Sequence, residues 1–164
     1  MPRADPVLFG DNMEIFNYFD SENKQHWLSE IQKADWGAAK FLAELLQKGI
    51  FMETLCEPEN GGRLFLLTEG ERLISFLTLT RQDCIRNMEK IPWIGFVYTS
   101  PEYRGRGFCR SLMEYAEGQA KMQGYREVFV ATDHVGLYER MGYEYIGNTA
   151  DVWGEDSRIY KKAL

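Results

Sequence analysis

The chain has 164 residues, and its 19 Lys and Arg residues against 25 Asp and Glu residues give a formal net charge of −6. This acidic balance argues against a protein that coats nucleic acid. Hydrophobic residues make up 45% and charged residues 27% of the chain, which is typical of soluble globular proteins and excludes fibrous and disordered classes. The length predicts a single domain over residues 1–164, with a loose N-terminus over residues 1–10.

The cysteine and histidine content points away from cross-links and metals. The chain has 3 cysteines, 2 histidines and no C-x-x-C pair, so we expect neither a disulfide framework nor a metal site. The apolar runs are too short to span a membrane, and the first residues lack the apolar core of a signal peptide. A cytoplasmic protein without a membrane partner is therefore expected.

The first half of the chain predicts a strand, two helices and a hairpin. Residues 13–19 are apolar-rich and predict a strand, whereas residues 23–33 and 36–46 carry apolar side chains at helical spacing. Residues 63–68 and 72–80 are strand-like runs separated by a short turn, as in an antiparallel hairpin.

The second half predicts a strand, a glycine-rich turn and a long helix, followed by short closing elements. The predicted strands are residues 93–99, 127–131, 143–146 and 158–161. A long helix is predicted after the glycine-rich turn, ending at about residue 124, and a short helix over residues 135–140, stopped by Gly142. An antiparallel part followed by a βαβ unit makes an α+β fold. We expect a mixed central sheet of about six to seven strands flanked by helices.

The segment 101–109 lies where a predicted strand ends and a predicted helix begins. Unpaired main-chain N–H groups and the positive end of the helix dipole meet at such a point and form an anion site, to which Arg104 and Arg106 add charge. A solvated glycine-rich turn is the alternative. A dinucleotide fingerprint is absent because its third glycine would fall at Arg110, and no Gly-Lys-Ser/Thr of a P-loop occurs.

Two motifs resemble those of the GCN5-related N-acetyltransferases, the GNAT superfamily. The family loop Q/R-x-x-G-x-G/A is matched at Arg104 and Gly107, with Cys109 at the position of the last small residue. Residues 99–105 (TSPEYRG) look like the preceding V-x-P-x-Y-R-G, and residues 137–143 (LYERMGY) look like the family motif L-Y-E-K-x-G-F. The resemblance covers about half of the chain.

This resemblance implies acetyl-CoA as cosubstrate, without a metal. The loop would bind the pyrophosphate, and main-chain groups of the preceding strand would pair with the pantetheine arm. The cofactor-binding residues implied in this way are Val97, Tyr98, Thr99, Arg104, Gly105, Arg106, Gly107, Phe108 and Cys109.

The resemblance also implies the chemistry of acetyl transfer. Tyr138 matches the family tyrosine and would donate a proton to the departing thiolate, its alternative being an aromatic residue that only packs. A main-chain N–H near Val97 or Tyr98, where the family strand usually bulges, would meet the oxyanion. The base is left open among Asp133, which is also a natural helix N-cap, His134 and a water relay.

The predicted function is therefore direct transfer of an acetyl group from acetyl-CoA to a primary amine in a ternary complex. A non-catalytic acyl-CoA-binding sensor or interaction module on the same scaffold is the alternative. The acceptor, a small molecule or a peptide, is not identified by the sequence, and a homodimer is a candidate assembly. Five aromatic residues are candidates for an acceptor pocket, although helical spacing places most of them in the core: Tyr18, Phe19, Trp27, Trp36 and Trp93.

Overall fold

The computed structural model describes residues 6–8, 10, 12–56, 61–85 and 89–164. Its strands are β1 (Val7–Leu8), β2 (Met13–Asn17), β3 (Arg63–Glu69), β4 (Arg72–Thr80), β5 (Trp93–Thr99), β6 (Glu127–Thr132), β7 (Glu144–Ala150) and β8 (Asp156–Ala163). They form one sheet of eight strands in the order β1-β2-β3-β4-β5-β6-β8-β7. All neighbouring strands are antiparallel except β5 and β6, which are parallel. This confirms the predicted α+β class.

The described α-helices lie on both faces of this sheet. They are α1 (Lys24–Gln32), α2 (Gly37–Lys48), α3 (Phe51–Leu55) and α4 (Phe108–Met122). Alternate side chains of β3 face opposite ways: Leu64 and Leu66 join the apolar cluster under α1, α2 and α3, whereas Phe65 and Leu67 join the cluster under α4. A strand that is covered on both faces has apolar side chains at consecutive positions, which explains the apolar run in residues 63–68. Among the described residues, no helix is long and apolar enough to cross a bilayer.

The N-terminal region differs from the prediction in three places. Val7–Leu8 pairs with β2 as an edge strand and makes the eighth strand, whereas residues 1–5 and 9 of the expected loose start lie outside the described residues. The first predicted strand ends at Asn17, because the Asn17 side chain accepts a hydrogen bond from the Phe19 N–H and starts a 3₁₀ turn. The five-residue helix α3 was not predicted.

The predicted short helix over residues 135–140 is wrong. Gly136 has a φ of 89°, and only a 3₁₀ turn at Glu139–Met141 forms before Gly142, with a φ of 88°. Both glycines adopt the left-handed conformation, which an α-helix does not contain. The segment between β6 and β7 is therefore an irregular loop closed by a single tight turn.

The packing of α4 against the sheet can be tested with two methionines of this helix. Met113 is fully buried against the sheet, whereas Met122 at the end of the same helix is 81% exposed. We expect Met113→Ala to lower the free energy of unfolding by about 2–5 kcal/mol, because it leaves a cavity. Met122→Ala is the matched control, expected to stay within about 0.5 kcal/mol of the wild type in urea denaturation. Equal effects of the two substitutions would contradict this packing.

Candidate active site

The parallel pair β5 and β6 opens the sheet at its centre. The two strands are in register at only one residue pair, Trp93 with Phe129. The other edge of β5 stays paired with β4 as far as Ser75 and Thr99. The end of β5 therefore presents main-chain N–H and C=O groups along the edge that β6 leaves.

A β-bulge lies on β5 beside this opening. Tyr98 pairs with Phe76 and Gly95 pairs with Thr78, so two residues of β5 oppose one residue of β4. Within the bulge Phe96 has a φ of 49°, a conformation that costs a non-glycine residue about 1–3 kcal/mol. Such strain is retained where the surrounding structure or function requires it. The bulge lies at the position that the family resemblance implied.

The separated strands enclose a cleft of about 490 Å³, here named the β5/β6 cleft. Its walls are formed by the end of β5, the glycine loop (residues 104–107), the first turn of α4, the segment after β6 and the connection between α1 and α2. The lining residues are Asp35, Trp36, Val97, Tyr98, Thr99, Arg104, Cys109, His134, Leu137 and Tyr138. The tertiary structure thus brings six of the predicted site residues together: Val97, Tyr98, Thr99, Arg104, Cys109 and Tyr138.

The other predicted residues, Gly105, Arg106, Gly107 and Phe108, form the loop and the helix start beside the cleft rather than its lining. Gly105 and Gly107 have φ values of 74° and 81°, which glycine adopts without steric cost. The Ser111 N–H donates a hydrogen bond to the Gly107 carbonyl at 3.1 Å, and this is the first i to i−4 hydrogen bond of α4. The N–H groups of residues 108–110 therefore point out of the helix end, where the positive end of its dipole favours an anion.

Two arginines add positive charge to this helix end. The Arg104 Nε donates a hydrogen bond to the Thr99 carbonyl at 2.8 Å, and its guanidinium carbon lies 5.6 Å from the centre of the Tyr98 ring. The Arg106 guanidinium carbon lies 5.2 Å from the centre of the Phe108 ring. Cation–π contacts of this kind hold guanidinium groups in place while leaving their N–H donors for an anionic ligand.

Tyr138 reaches the cleft from the opposite wall. It is only 3% exposed, and its ring lies 5.8 Å from the Tyr143 ring and 5.9 Å from the Tyr160 ring. The hydroxyls of these two neighbours donate to Glu117 at 2.9 Å and to Glu139 at 2.7 Å. Burial, and to a smaller extent the fields of Cys109 and Asp83, raise the pKa of Tyr138. Its hydroxyl therefore keeps its proton at neutral pH, as a proton donor must.

Comparison with known proteins identifies the family of this chain. The acetyltransferase (GNAT) family profile matches residues 21–143. The chain belongs to this family. An uncharacterised N-acetyltransferase of Chlorobaculum tepidum is 44% identical over 45 residues, a segment that covers 27% of this chain and only 29% of that protein.

Solved structures of acetyltransferases share the fold of this GNAT protein. An acetyltransferase from Streptococcus agalactiae has a TM-score of 0.64 at 23% identity, covering 93% of this chain and 99% of that one. A GNAT family acetyltransferase from Elizabethkingia anophelis with acetyl-CoA bound has a TM-score of 0.64 at 14% identity, covering 94% and 99%. An aminoglycoside 6'-N-acetyltransferase in complex with coenzyme A has a TM-score of 0.63 at 13% identity, covering 91% and 96%.

Two candidate bases of this GNAT protein follow β6. His134 lines the β5/β6 cleft and is exposed, as is its neighbour Asp133. The expectation that Asp133 caps a helix is wrong, because no α-helix begins there and the Thr132 Oγ1 accepts the His134 N–H at 3.1 Å. Asp133 is thus not committed to a helix end.

A second cavity adjoins the first and contains residues that sequence reasoning missed. This aromatic pocket is lined by Trp36, Ala38, Phe41, Thr54, Leu55, Asp83, Cys84, Phe96, Ala131, Val152 and Trp153. Of the five aromatic residues considered for an acceptor pocket, Trp36 alone lines it; the remaining four lie in or against the apolar core. No sequence signal pointed to Asp83, since its place depends on how the connection after β4 folds back onto β5.

The three cysteines are poor nucleophiles. Burial, followed by smaller effects of Asp83 and other carboxylates, raises the pKa of Cys84 to about 12, and burial raises the pKa of Cys56 to about 11. Burial also raises the pKa of Cys109, the cysteine within the β5/β6 cleft. A thiol is nucleophilic only as the thiolate, so these three thiols are poorly suited to form an acyl-cysteine.

We therefore expect slow alkylation of all three cysteines by iodoacetamide at pH 8 in the folded protein. The raised pKa values keep the thiols protonated, so each rate should be at least about tenfold below that of free cysteine. Mass spectrometry of the modified peptides measures the three rates separately. The urea-unfolded chain is the control and should react at the ordinary rate. Rapid labelling of Cys109 in the folded protein would contradict this view of the cleft.

Proposed function

We propose that this protein is an acetyl-CoA-dependent N-acetyltransferase that transfers an acetyl group directly to a primary amine in a ternary complex. One observation carries the proposal: the glycine-rich loop at the start of α4 and the buried Tyr138 lie at a single cleft. Structural relatives with acetyl-CoA or CoA bound support the same cosubstrate.

The cosubstrate would lie along the β5/β6 cleft. Its pyrophosphate would accept hydrogen bonds from the N–H groups at the start of α4 and from Arg104 and Arg106. Its pantetheine arm would pair with the main chain of Val97, Tyr98 and Thr99, along the edge of β5 that β6 leaves. The thioester would then lie near the bulge, where a main-chain N–H would donate a hydrogen bond to the developing oxyanion.

The proposed reaction forms one C–N and one S–H bond and breaks one C–S and one N–H bond. The amine nitrogen attacks the thioester carbonyl carbon, and a C–N bond forms as the C–S bond breaks. The departing thiolate takes the proton of the Tyr138 hydroxyl, which solvent then replaces. The proton lost by the amine goes to Asp133, His134 or a water relay. The products are the N-acetylated amine and CoA.

Cosubstrate binding is tested by thermal unfolding. At 100 times its Kd, acetyl-CoA should stabilise the protein by about 2.7 kcal/mol, which raises the midpoint by about 5 to 10 °C in a chain of this length. CoA should act similarly, whereas NAD and ATP should give little shift. The variant Arg104→Glu/Arg106→Glu should lose most of the stabilisation, since it reverses the charge at the helix end.

The matched control for this experiment is Lys121→Glu/Arg126→Glu. It makes the same change in net charge at exposed positions near the opposite end of α4. This control should keep the full midpoint shift with acetyl-CoA. No shift of the wild-type protein at saturating acetyl-CoA would refute the proposed function.

The role of Tyr138 is tested by Tyr138→Phe. Removing the acid should lower kcat by about 10²- to 10⁴-fold on whichever amine the wild type accepts, with the acetyl-CoA midpoint shift unchanged. Tyr125→Phe, a partly buried tyrosine beyond the end of α4, is the control and should retain activity. Acetyl-CoA binding without turnover on a broad amine panel would favour the non-catalytic sensor instead.

A further inference from the structure

The buried face of α4 includes a carboxylate. The other buried residues of this helix are Leu112, Met113, Ala116 and Ala120, and Glu117 lies among them with only 8% of its surface exposed. Burying a carboxylate costs free energy unless the group is paired and hydrogen-bonded. The contacts of Glu117 therefore show what this costly position holds in place.

Glu117 has partners on two other parts of the chain. Its Oε1 accepts a hydrogen bond from the Tyr143 hydroxyl at 2.9 Å, and its Oε2 lies 2.9 Å from the Lys162 Nζ on β8. Tyr143 is 4% exposed, and burial, followed by the charge of Glu117, raises the pKa of Tyr143 above its ordinary value. The Tyr143 hydroxyl therefore remains protonated and keeps its role as the donor to Glu117.

Both partners of Glu117 hold the turn that follows Tyr138. The Lys162 Nζ also donates to the Met141 carbonyl at 2.8 Å, and the Tyr143 ring meets the Tyr138 ring edge-on with centroids 5.8 Å apart. The main-chain N–H groups of Met141 and Tyr143 each donate to the Tyr138 carbonyl at 3.0 Å. Glu117 thus reaches Tyr138 by two short routes, one through the Tyr143 ring and one through the main chain of the turn.

The start of α4 holds the same turn at a second point. The Arg110 Nη2 donates to the Arg140 carbonyl at 2.8 Å. Arg110 precedes Glu117 by about two turns of helix and lies at the helix end that is proposed to bind the pyrophosphate. One helix therefore carries the proposed cosubstrate site and also fixes the turn next to the proposed proton donor.

The Tyr143 hydroxyl is a departure of this chain from the family motif. The motif L-Y-E-K-x-G-F ends in phenylalanine, whereas residues 137–143 (LYERMGY) end in tyrosine. A phenylalanine ring at this position would pack against Tyr138 but would have no donor for Glu117. The hydrogen bond to α4 is thus a property of this chain that the motif does not supply.

We propose that Glu117, Lys162 and Tyr143 are positioning residues for Tyr138, and that they hold its ring where the hydroxyl meets the departing sulfur. Apolar side chains in place of a buried ion pair are often neutral or stabilising, so stability alone does not explain this network. Catalysis does depend on position, since a displacement of about 1 Å can lower a rate by about 10²-fold. This inference rests on the proposed function, because Tyr138 is the proposed acid.

The first test observes Tyr138 without an acceptor, by NMR of protein that contains tyrosine labelled with ¹³C at Cζ. The Tyr138 resonance is the one that Tyr138→Phe removes, and in the wild type it should be single and should shift when CoA is added. Tyr143→Phe keeps the ring and removes only the hydroxyl. In this variant the Tyr138 resonance should broaden or split and should lose most of its shift with CoA, whereas the Kd of CoA should stay unchanged.

The second test separates position from stability. In the triple variant Glu117→Leu/Lys162→Met/Tyr143→Phe, apolar side chains replace the whole network, and the thermal midpoint should stay near that of the wild type. Its kcat on an amine that the wild type acetylates should nevertheless fall by about 10- to 100-fold. The KM for acetyl-CoA should be unchanged, because the start of α4 is intact. If the triple variant does not fold, Tyr143→Phe decides by the same measurements.

The matched control is Glu114→Leu/Lys161→Met/Tyr125→Phe, which makes the same three exchanges at exposed or partly buried positions outside the network. It should keep the wild-type kcat and the wild-type Tyr138 resonance. A wild-type kcat in Tyr143→Phe, or a Tyr138 resonance that responds to CoA as in the wild type, would overturn the inference and leave the proposed function intact. A kcat that falls only in proportion to the folded fraction would also overturn it.

A different result would refute the role of Tyr138 itself. If the wild-type protein binds CoA but its Tyr138 resonance does not respond, Tyr138 does not lie at the cosubstrate sulfur. The assignment of the acid in the proposed function would then be wrong, and the inference would be wrong with it.

Discussion

The strands β5 and β6 are in register at one residue pair, Trp93 with Phe129, and separate beyond it. The other features of the site depend on this separation. Because parallel strands must be joined by a crossover, α4 begins beyond the end of β5 and its N-terminus lies at the opening. The segment after β6 leaves from the opposite side of the same opening and brings Tyr138 to it. If the two strands were paired to their ends, their main-chain N–H and C=O groups would be hydrogen-bonded to each other and no cleft would exist.

The arginines at the end of α4 and the carboxylate of Asp83 lie at different cavities. Arg104 and Arg106 stand at the end of α4 in a protein whose formal net charge is −6. Asp83 lies in the wall of the aromatic pocket on the other side of the bulge.

This arrangement is held by a core that covers the sheet on both sides. The strained Phe96 carries a cost in backbone energy, and the buried Tyr138 carries a cost in desolvation. The alternating side chains of β3 pack against helices above and below and keep the central strands in place. Rigid packing of this kind preserves a bulge that an isolated strand would relax.

Local patterns in the sequence determined most of the fold and one half of the site. The apolar periods predicted α1, α2, α4 and the central strands, and the residues Arg104 to Cys109 predicted an anion site because glycine at positive φ and a helix start are local properties. The helix over residues 135–140 was predicted wrongly, since Gly136 within it adopts a φ of 89°. Only the tertiary structure decided that Tyr138 reaches the same cleft as the loop and that Asp83 occupies the space over Gly95. Those contacts join residues far apart in the chain, and they are set by where β5 and β6 separate, which neither strand's own sequence specifies.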